Sequence, residues 1–137
     1  MGRQFTLFVM ISAFLISCDE TGSPEYMIVG EWQHISDSTK VNGVVYVSYP
    51  FEWGVENETI QYFENGSFTQ TIEYRDTTNI FSGAWELDHS DLQLVDDGGG
   101  KTRVYELYVF GMNMTLSEER VSSGEPATLV ARYRKIE

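Results

Sequence analysis

The side chains able to do chemistry in this 137-residue chain are few and widely spaced. Cys18 is the single thiol, and His34 and His89 are the two imidazoles. His89 stands between Asp88 and Asp91, where side chains could meet a cation. A zinc site, however, needs three or four converging ligands, and one turn seldom supplies them. His34 follows Trp32 by two residues, so on a regular strand the two share a face; that predicts a buried, hydrogen-bonded imidazole. Asp96-Asp97-Gly98-Gly99-Gly100 lacks the alternating oxygen ligands of an EF-hand, and its carboxylates would repel a phosphate, so it reads as a hairpin loop. Ser90, Ser122 and Ser123 have no Gly-x-Ser-x-Gly frame to activate a hydroxyl. The 21 acidic residues show no spacing that selects a pair for acid–base work. These residues lead us to expect no enzyme, no metal and no cofactor.

Cys18 is different, because its surroundings give the thiol a task. Arg3 precedes a twelve-residue run, Phe5 to Ile16, that is apolar except for two hydroxyl residues. A cation, an apolar run and small residues at its exit describe a secretory signal. The run is shorter than the ~20 residues that a membrane-spanning helix requires. Leu15-Ile16-Ser17-Cys18 resembles the lipobox of bacterial lipoproteins, in which the cysteine sulfur takes a diacylglyceryl group and becomes the new N-terminus. The resemblance implies a signal over residues 1–17, lipidation of Cys18 and attachment to a membrane of a bacterial cell envelope. Residues 18–25 then form a polar tether, without the periodicity that burial needs. Asp19-Glu20 resembles a surface-export signal of some Bacteroidota lipoproteins, whereas an aspartate there resembles inner-membrane retention in enterobacteria; we favour the outer membrane or cell surface.

The charge sets limits on partners. Nine cations face 21 anions, a net of −12, and loss of Arg3 with the signal makes it −13. Nucleic acid is excluded as a partner, because contact with phosphates needs clustered cations. A basic protein partner suits such a surface.

From residue 26 to 137 the pattern is strand and turn. Val44 to Tyr49 is β-branched and aromatic. Thr59 to Phe63 and Ser67 to Tyr74 flank Asn65-Gly66, a strong hairpin signal. Phe68, Ile72 and Tyr74 alternate with Thr69, Thr71 and Glu73, giving the period of two of a half-buried strand. Gly83 to Leu87, Asp91 to Val95, Lys101 to Phe110, Met112 to Ser117 and Ala127 to Ile136 complete the series, with Glu118 to Pro126 as the longest late loop. About eight strands joined by short turns pair as antiparallel neighbours. Closure of the first strand on the last would remove the exposed edges. The expected fold is therefore all-β: one antiparallel up-and-down β-barrel, preceded by a signal peptide.

Three short motifs carry a family resemblance. Gly30-Glu31-Trp32 is similar to the Gly-x-Trp of lipocalins. Tyr62-Phe63-Glu64-Asn65-Gly66-Ser67-Phe68 and Gly83-Ala84-Trp85-Glu86-Leu87 resemble the rhythm of lipocalin-like domains in secreted lipoproteins of Bacteroidota. The resemblance implies structural roles for Gly30, Trp32, Gly83 and Trp85, with Trp32 at the closed end of the barrel against Arg132 or Arg134 of the final strand. The lipocalin disulfide and C-terminal helix are missing, which implies a lipocalin-like relative.

An eight-stranded barrel is either filled or holds one small ligand. The first expectation is therefore a non-catalytic module for a small apolar ligand, lined by Phe68, Ile72, Tyr74, Tyr108, Met112 and Met114. The same residues would serve equally as a filled core. In that case the acidic barrel is expected to act on a protein partner.

Overall fold

A computed structural model describes residues 27–136. The expected signal (1–17), Cys18 and the tether (18–25) lie outside the described residues. Nine strands follow one another: β1 (Gly30–Val41), β2 (Val44–Ser48), β3 (Val55–Tyr62), β4 (Ser67–Tyr74), β5 (Thr78–Asp88), β6 (Asp91–Asp96), β7 (Thr102–Phe110), β8 (Asn113–Ser122) and β9 (Glu125–Ile136). All neighbours are antiparallel, and β1 also pairs with β9 from Glu31 to Val41. Eight strands close the barrel, and β2 is extra.

The extra strand exists because β1 divides one of its edges. Gly30 to Gln33 pair with β3, and Asp37 to Val41 pair with β2. Asn42-Gly43 turns the chain between β1 and β2 with both φ values positive (52° and 78°), as a two-residue hairpin requires. A 3-10 turn at Pro50–Trp53 then leads into β3. Val44, Val45, Tyr46 and Val47 of β2 are all at least half exposed, and Phe51 and Trp53 beside them are 72% and 68% exposed. The segment Val44 to Tyr49 is thus a strand, as its β-branched residues predict, but one outside the barrel wall.

Two other turns differ from expectation. Glu118 to Pro126 is not a loop. β8 continues to Ser122, and Ser123-Gly124 reverse the chain with φ of 52° and 82°. Charged residues conceal this strand, since Glu119 faces solvent and accepts from the Thr128 hydroxyl at 3.0 Å across the ladder. At the Asn65-Gly66 hairpin only Gly66 takes positive φ (87°). Asn65 instead uses its side-chain oxygen to accept from the Ser67 backbone N–H at 3.0 Å.

The barrel is filled at one end. Trp32, Ile60, Tyr62, Phe68, Leu92, Leu94, Leu107, Met114 and Leu116 pack into one cluster, which Ile28 and Tyr133 complete. Burying each such side chain contributes ~1.5–3 kcal/mol. The Trp32 indole N–H donates to the Ile28 carbonyl at 2.8 Å, so its polar edge is satisfied inside the core. Trp85 donates to the Phe63 carbonyl at 2.9 Å and meets Tyr62 edge-on, with ring centroids 6.0 Å apart. The cation beside Trp32 is Lys135, whose Nζ lies 5.6 Å from the ring centroid. It is neither Arg132 nor Arg134. Side chains alternate along β9, so Tyr133 and Lys135 share the inner face while both arginines are exposed. Arg132 instead donates to the Ser38 hydroxyl at 3.0 Å.

Gly83 marks the tightest contact in the wall. A Cβ there would lie 2.0 Å from the Val95 carbonyl oxygen and 2.8 Å from the Phe68 ring. Backbone of β6 cannot yield without breaking its ladder. We expect Gly83→Ala to lower stability by at least about 3 kcal/mol, read as a fall in urea midpoint. A variant as stable as the parent would contradict the close approach of β5 and β6.

Candidate functional site

Above the filled end, the barrel opens into a cavity of about 230 Å³. One irregularity on β1 explains its chemistry. Between His34 and Ser36 the β1–β9 register slips by one residue, with Ile35 as the bulge. On a regular strand residues i and i+3 point to opposite faces. The bulge re-aims the chain, so His34 and Asp37 both reach the cavity, and His34 Nε2 sits 2.9 Å from Asp37 Oδ1.

The remaining polar groups come from neighbouring strands. β3 supplies Glu58, whose Oε1 is 3.4 Å from His34 Nδ1. That approach is too skewed for a hydrogen bond, and Nδ1 has no hydrogen-bond partner. The charge interaction is still effective at this distance, because His34 is only 9% exposed at its side chain. β4 supplies Gln70, which donates to Glu58 Oε2 at 3.0 Å. β7 supplies Arg103, whose Nη1 reaches Gln70 Oε1 at 3.4 Å and whose Nη2 donates to Asp96 Oδ1 at 2.9 Å. A lateral chain Asp37–His34–Glu58–Gln70–Arg103–Asp96 therefore crosses the interior. Tyr105, Tyr133 and Glu118 line the cavity with it, and Leu116, Leu129 and Ala131 supply an apolar wall. Tyr133 lies against the imidazole, ring centroids 5.0 Å apart.

These surroundings set the protonation states. Burial alone would lower the His34 pKa, but the hydrogen bond to Asp37 and the contact with Glu58 outweigh it and raise it from 6.5 to about 9. His34 is thus an imidazolium at neutral pH. Burial pushes the phenols of Tyr105 and Tyr133 up, so both stay neutral.

None of the residues expected to line a pocket lines this cavity. Phe68 and Met114 are buried in the filled end, 1% exposed each. Ile72 and Tyr74 are half-buried on upper β4. Tyr108 is 64% exposed on the outer face of β7, and Met112, 40% exposed, sits at the β7–β8 turn. His89 and Asp88 are both exposed beyond the wall. Among the described residues no group of histidine, cysteine and carboxylate side chains is placed to hold a metal. Of the cavity's polar residues only His34 stood out in the sequence. Gln70 was legible in principle: it falls on the same face as Phe68 and Ile72, a polar residue at an inward position.

The imidazolium links the site to stability. A pKa raised in the folded state contributes stability that is complete below the unfolded value and is lost as pH rises through the folded one. For His34 that window runs from 6.5 to about 9, with on the order of 3 kcal/mol at stake. Urea unfolding should accordingly show falling stability across this window, and the His34 ring proton should titrate in NMR near its upper end. A midpoint at the ordinary histidine value would refute the clamped imidazolium.

The comparisons agree with this architecture. The family model of the lipocalin-like domain matches residues 28–116, from the start of the described chain to the middle of β8. A solved lipocalin-like protein from Bacteroides uniformis is 14% identical, with a TM-score of 0.56 over 80% of this chain and 99% of its own. An uncharacterized protein from Bacteroides eggerthii is also 14% identical, with a TM-score of 0.54 and the same coverage. At that identity the structural likeness is one of fold. Among curated proteins none matches the sequence. Because the family pattern spans most of the barrel, from Trp32 through Gly83 and Trp85 to Leu116, this chain belongs to the lipocalin-like domain family.

Proposed function

We propose that this protein is a non-catalytic binding module that takes one small ligand into the cavity at the open end of the barrel. The carrying observation is that the interior divides into two tiers. The lower tier is packed, and the upper tier holds about 230 Å³ of space between an apolar wall and a polar chain. That volume is below the usual range for drug-sized ligands, so the occupant is compact. The expected apolar ligand is accordingly refined to one with an apolar body and a polar end. Leu116, Leu129 and Ala131 receive the body, and His34, Glu58 and Gln70 meet the polar end.

The absence of catalysis in this reading has a chemical basis. A general base works best with a pKa near the operating pH. His34, raised to about 9 and engaged on its Nε2 side by Asp37, holds its proton too firmly for that work.

Ligand capture should be blocked by filling the cavity. Thermal denaturation of the purified protein with a panel of small amphipathic molecules should give saturable stabilisation, about 2.7 kcal/mol at a hundredfold excess over Kd. Ala131→Phe should remove that stabilisation and leave the unliganded melting temperature within a few degrees of the parent. Equal stabilisation of parent and variant would place binding elsewhere and defeat the proposal.

We propose also that a lipid on Cys18 holds the module at a bacterial envelope, at the outer membrane or cell surface. The support is the sequence Leu15-Ile16-Ser17-Cys18 at the end of the apolar run. A single acyl chain gives only marginal anchoring, whereas a diacylglyceryl group supplies two. In cells, Cys18→Ala should abolish lipid labelling and move the protein out of the membrane-anchored fraction. Unchanged labelling would rule this anchor out.

A further inference from the structure

We propose that β2 is a docking edge for a second copy of this chain, the two β2 strands pairing antiparallel about a two-fold axis. Among the described residues β2 pairs with β1 alone, so its other side carries unpaired backbone groups. Val41 and Val44 close the two-residue loop Asn42-Gly43 and so exchange both ladder bonds. Hydrogen-bonded and non-hydrogen-bonded pairs alternate from there, which turns the N–H and C=O of Val45 and Val47 away from β1. Exposed edges are commonly guarded by lysine, proline or a bulge. Val44 to Ser48 contains none of these, and its register against β1 is regular.

The surface around that edge is composed like the centre of an interface, rich in aromatic residues and poor in charge. The side chains of β2, with Tyr49, Phe51 and Trp53 after it, expose on the order of 800 Å², at ~150–250 Å² for each aromatic residue. The largest apolar patch of a typical monomer is only ~300–600 Å², whereas one side of a standard interface is about 800 Å². The rings of Tyr49 and Phe51 stack with centroids 5.7 Å apart, which gives the strip a firm end. From Val41 to Phe51 the chain carries no charge, although the whole chain carries −12. Glu52, the next charged residue, is turned onto the Tyr49 backbone N–H. Two copies that repel elsewhere can therefore meet here without opposing carboxylates.

The same features select the occupant. An antiparallel edge is complementary to itself under a two-fold axis. Val45 of each copy then stands opposite Val47 of the other, and each such pair exchanges the N–H···O bonds that β1 leaves free. Tyr46 meets its own counterpart. Lipid does not suit this edge, since hydrocarbon offers no partner to backbone N–H and C=O groups. A basic protein would be drawn to carboxylates, which the strip lacks. A two-fold axis along a membrane normal sets both N-termini at one height, and residues 19–26 reach up to ~28 Å. Two lipid-anchored copies can thus pair on one membrane. Ser38 and Thr39, the β1 partners of Val47 and Tyr46, line the cavity, so the interface flanks both mouths.

Sedimentation equilibrium of the purified protein, in a density-matched detergent that keeps any lipid in place, should give the mass of a dimer at micromolar concentrations. Val47→Pro removes an outward N–H and spares the β1 ladder. It costs two symmetry-related hydrogen bonds and should weaken the dimer at least about tenfold. Tyr46→Lys combined with Val47→Lys puts a charge on each face of the edge and should leave a monomer. These lysines also reduce the net negative charge, so general repulsion falls and loss of the dimer reports the edge itself. Val104→Lys, comparably exposed on the outer face of β7, should leave the dimer unchanged. Melting temperatures within a few degrees of the parent show that each barrel is folded. A dimer that survives both edge variants overturns the proposal. So does a parent that stays monomeric, which would leave the edge to a strand from another protein.

Discussion

The pairing of β1 with β9 is the constraint on which the rest of the molecule depends. A meander of strands on its own ends in two edges with unpaired backbone N–H and C=O groups. Here the ladder from Glu31 to Val41 joins the first strand to the last, so the sheet has an inside. Trp32 then becomes the floor of a closed vessel, fully buried and hydrogen-bonded to the Ile28 carbonyl. Lys135, directly opposite Trp32 on β9, covers the indole from below. Without closure, neither the packed tier nor the cavity above it would exist.

Inside that vessel the polar groups are tolerated because they form a chain. An isolated ion in a protein interior costs several kcal/mol of lost hydration. Asp37, His34, Glu58, Gln70, Arg103 and Asp96 share that cost by alternating donor and acceptor, positive and negative, across five strands. Orphan atoms remain at His34 Nδ1, Arg103 Nε and the Tyr62 hydroxyl. Two of these atoms, on His34 and Arg103, belong to residues that line the cavity. A fold alone does not fix a function; here the packed tier provides stability, and the tier above it holds the polar chain and the cavity.

Much of the fold was legible in the sequence. Turn residues and alternation set the number and order of strands, and Trp32 lies in the packed floor, though beside Lys135 and not the arginines that the resemblance implied. The site was far less so. The residues Lys101 to Phe110 show why: β7 carries Leu107 and Val109 inward but also Val104, Tyr108 and Phe110 outward. Hydrophobicity does not distinguish its two faces, and Tyr108 was assigned to the wrong one. The polar residues Arg103 and Gln70 were overlooked because an inward charge or amide runs against the burial pattern. The meeting of His34 with Asp37 depends on a bulge, and nothing in the text Gln33-His34-Ile35-Ser36-Asp37 announces it. Charged residues likewise hid the upper part of β8, where Glu118 to Ser122 were taken for a loop.

The bulge at Ile35 has one more consequence. A strand's inner and outer sets exchange when its register moves by a single position. The extra residue absorbs that shift, so that Asp37, three positions after His34, stands opposite Ala131 on the inner face while Trp32 and the packed floor keep their places. The vessel's contents and its foundation are thus governed by different parts of the same strand.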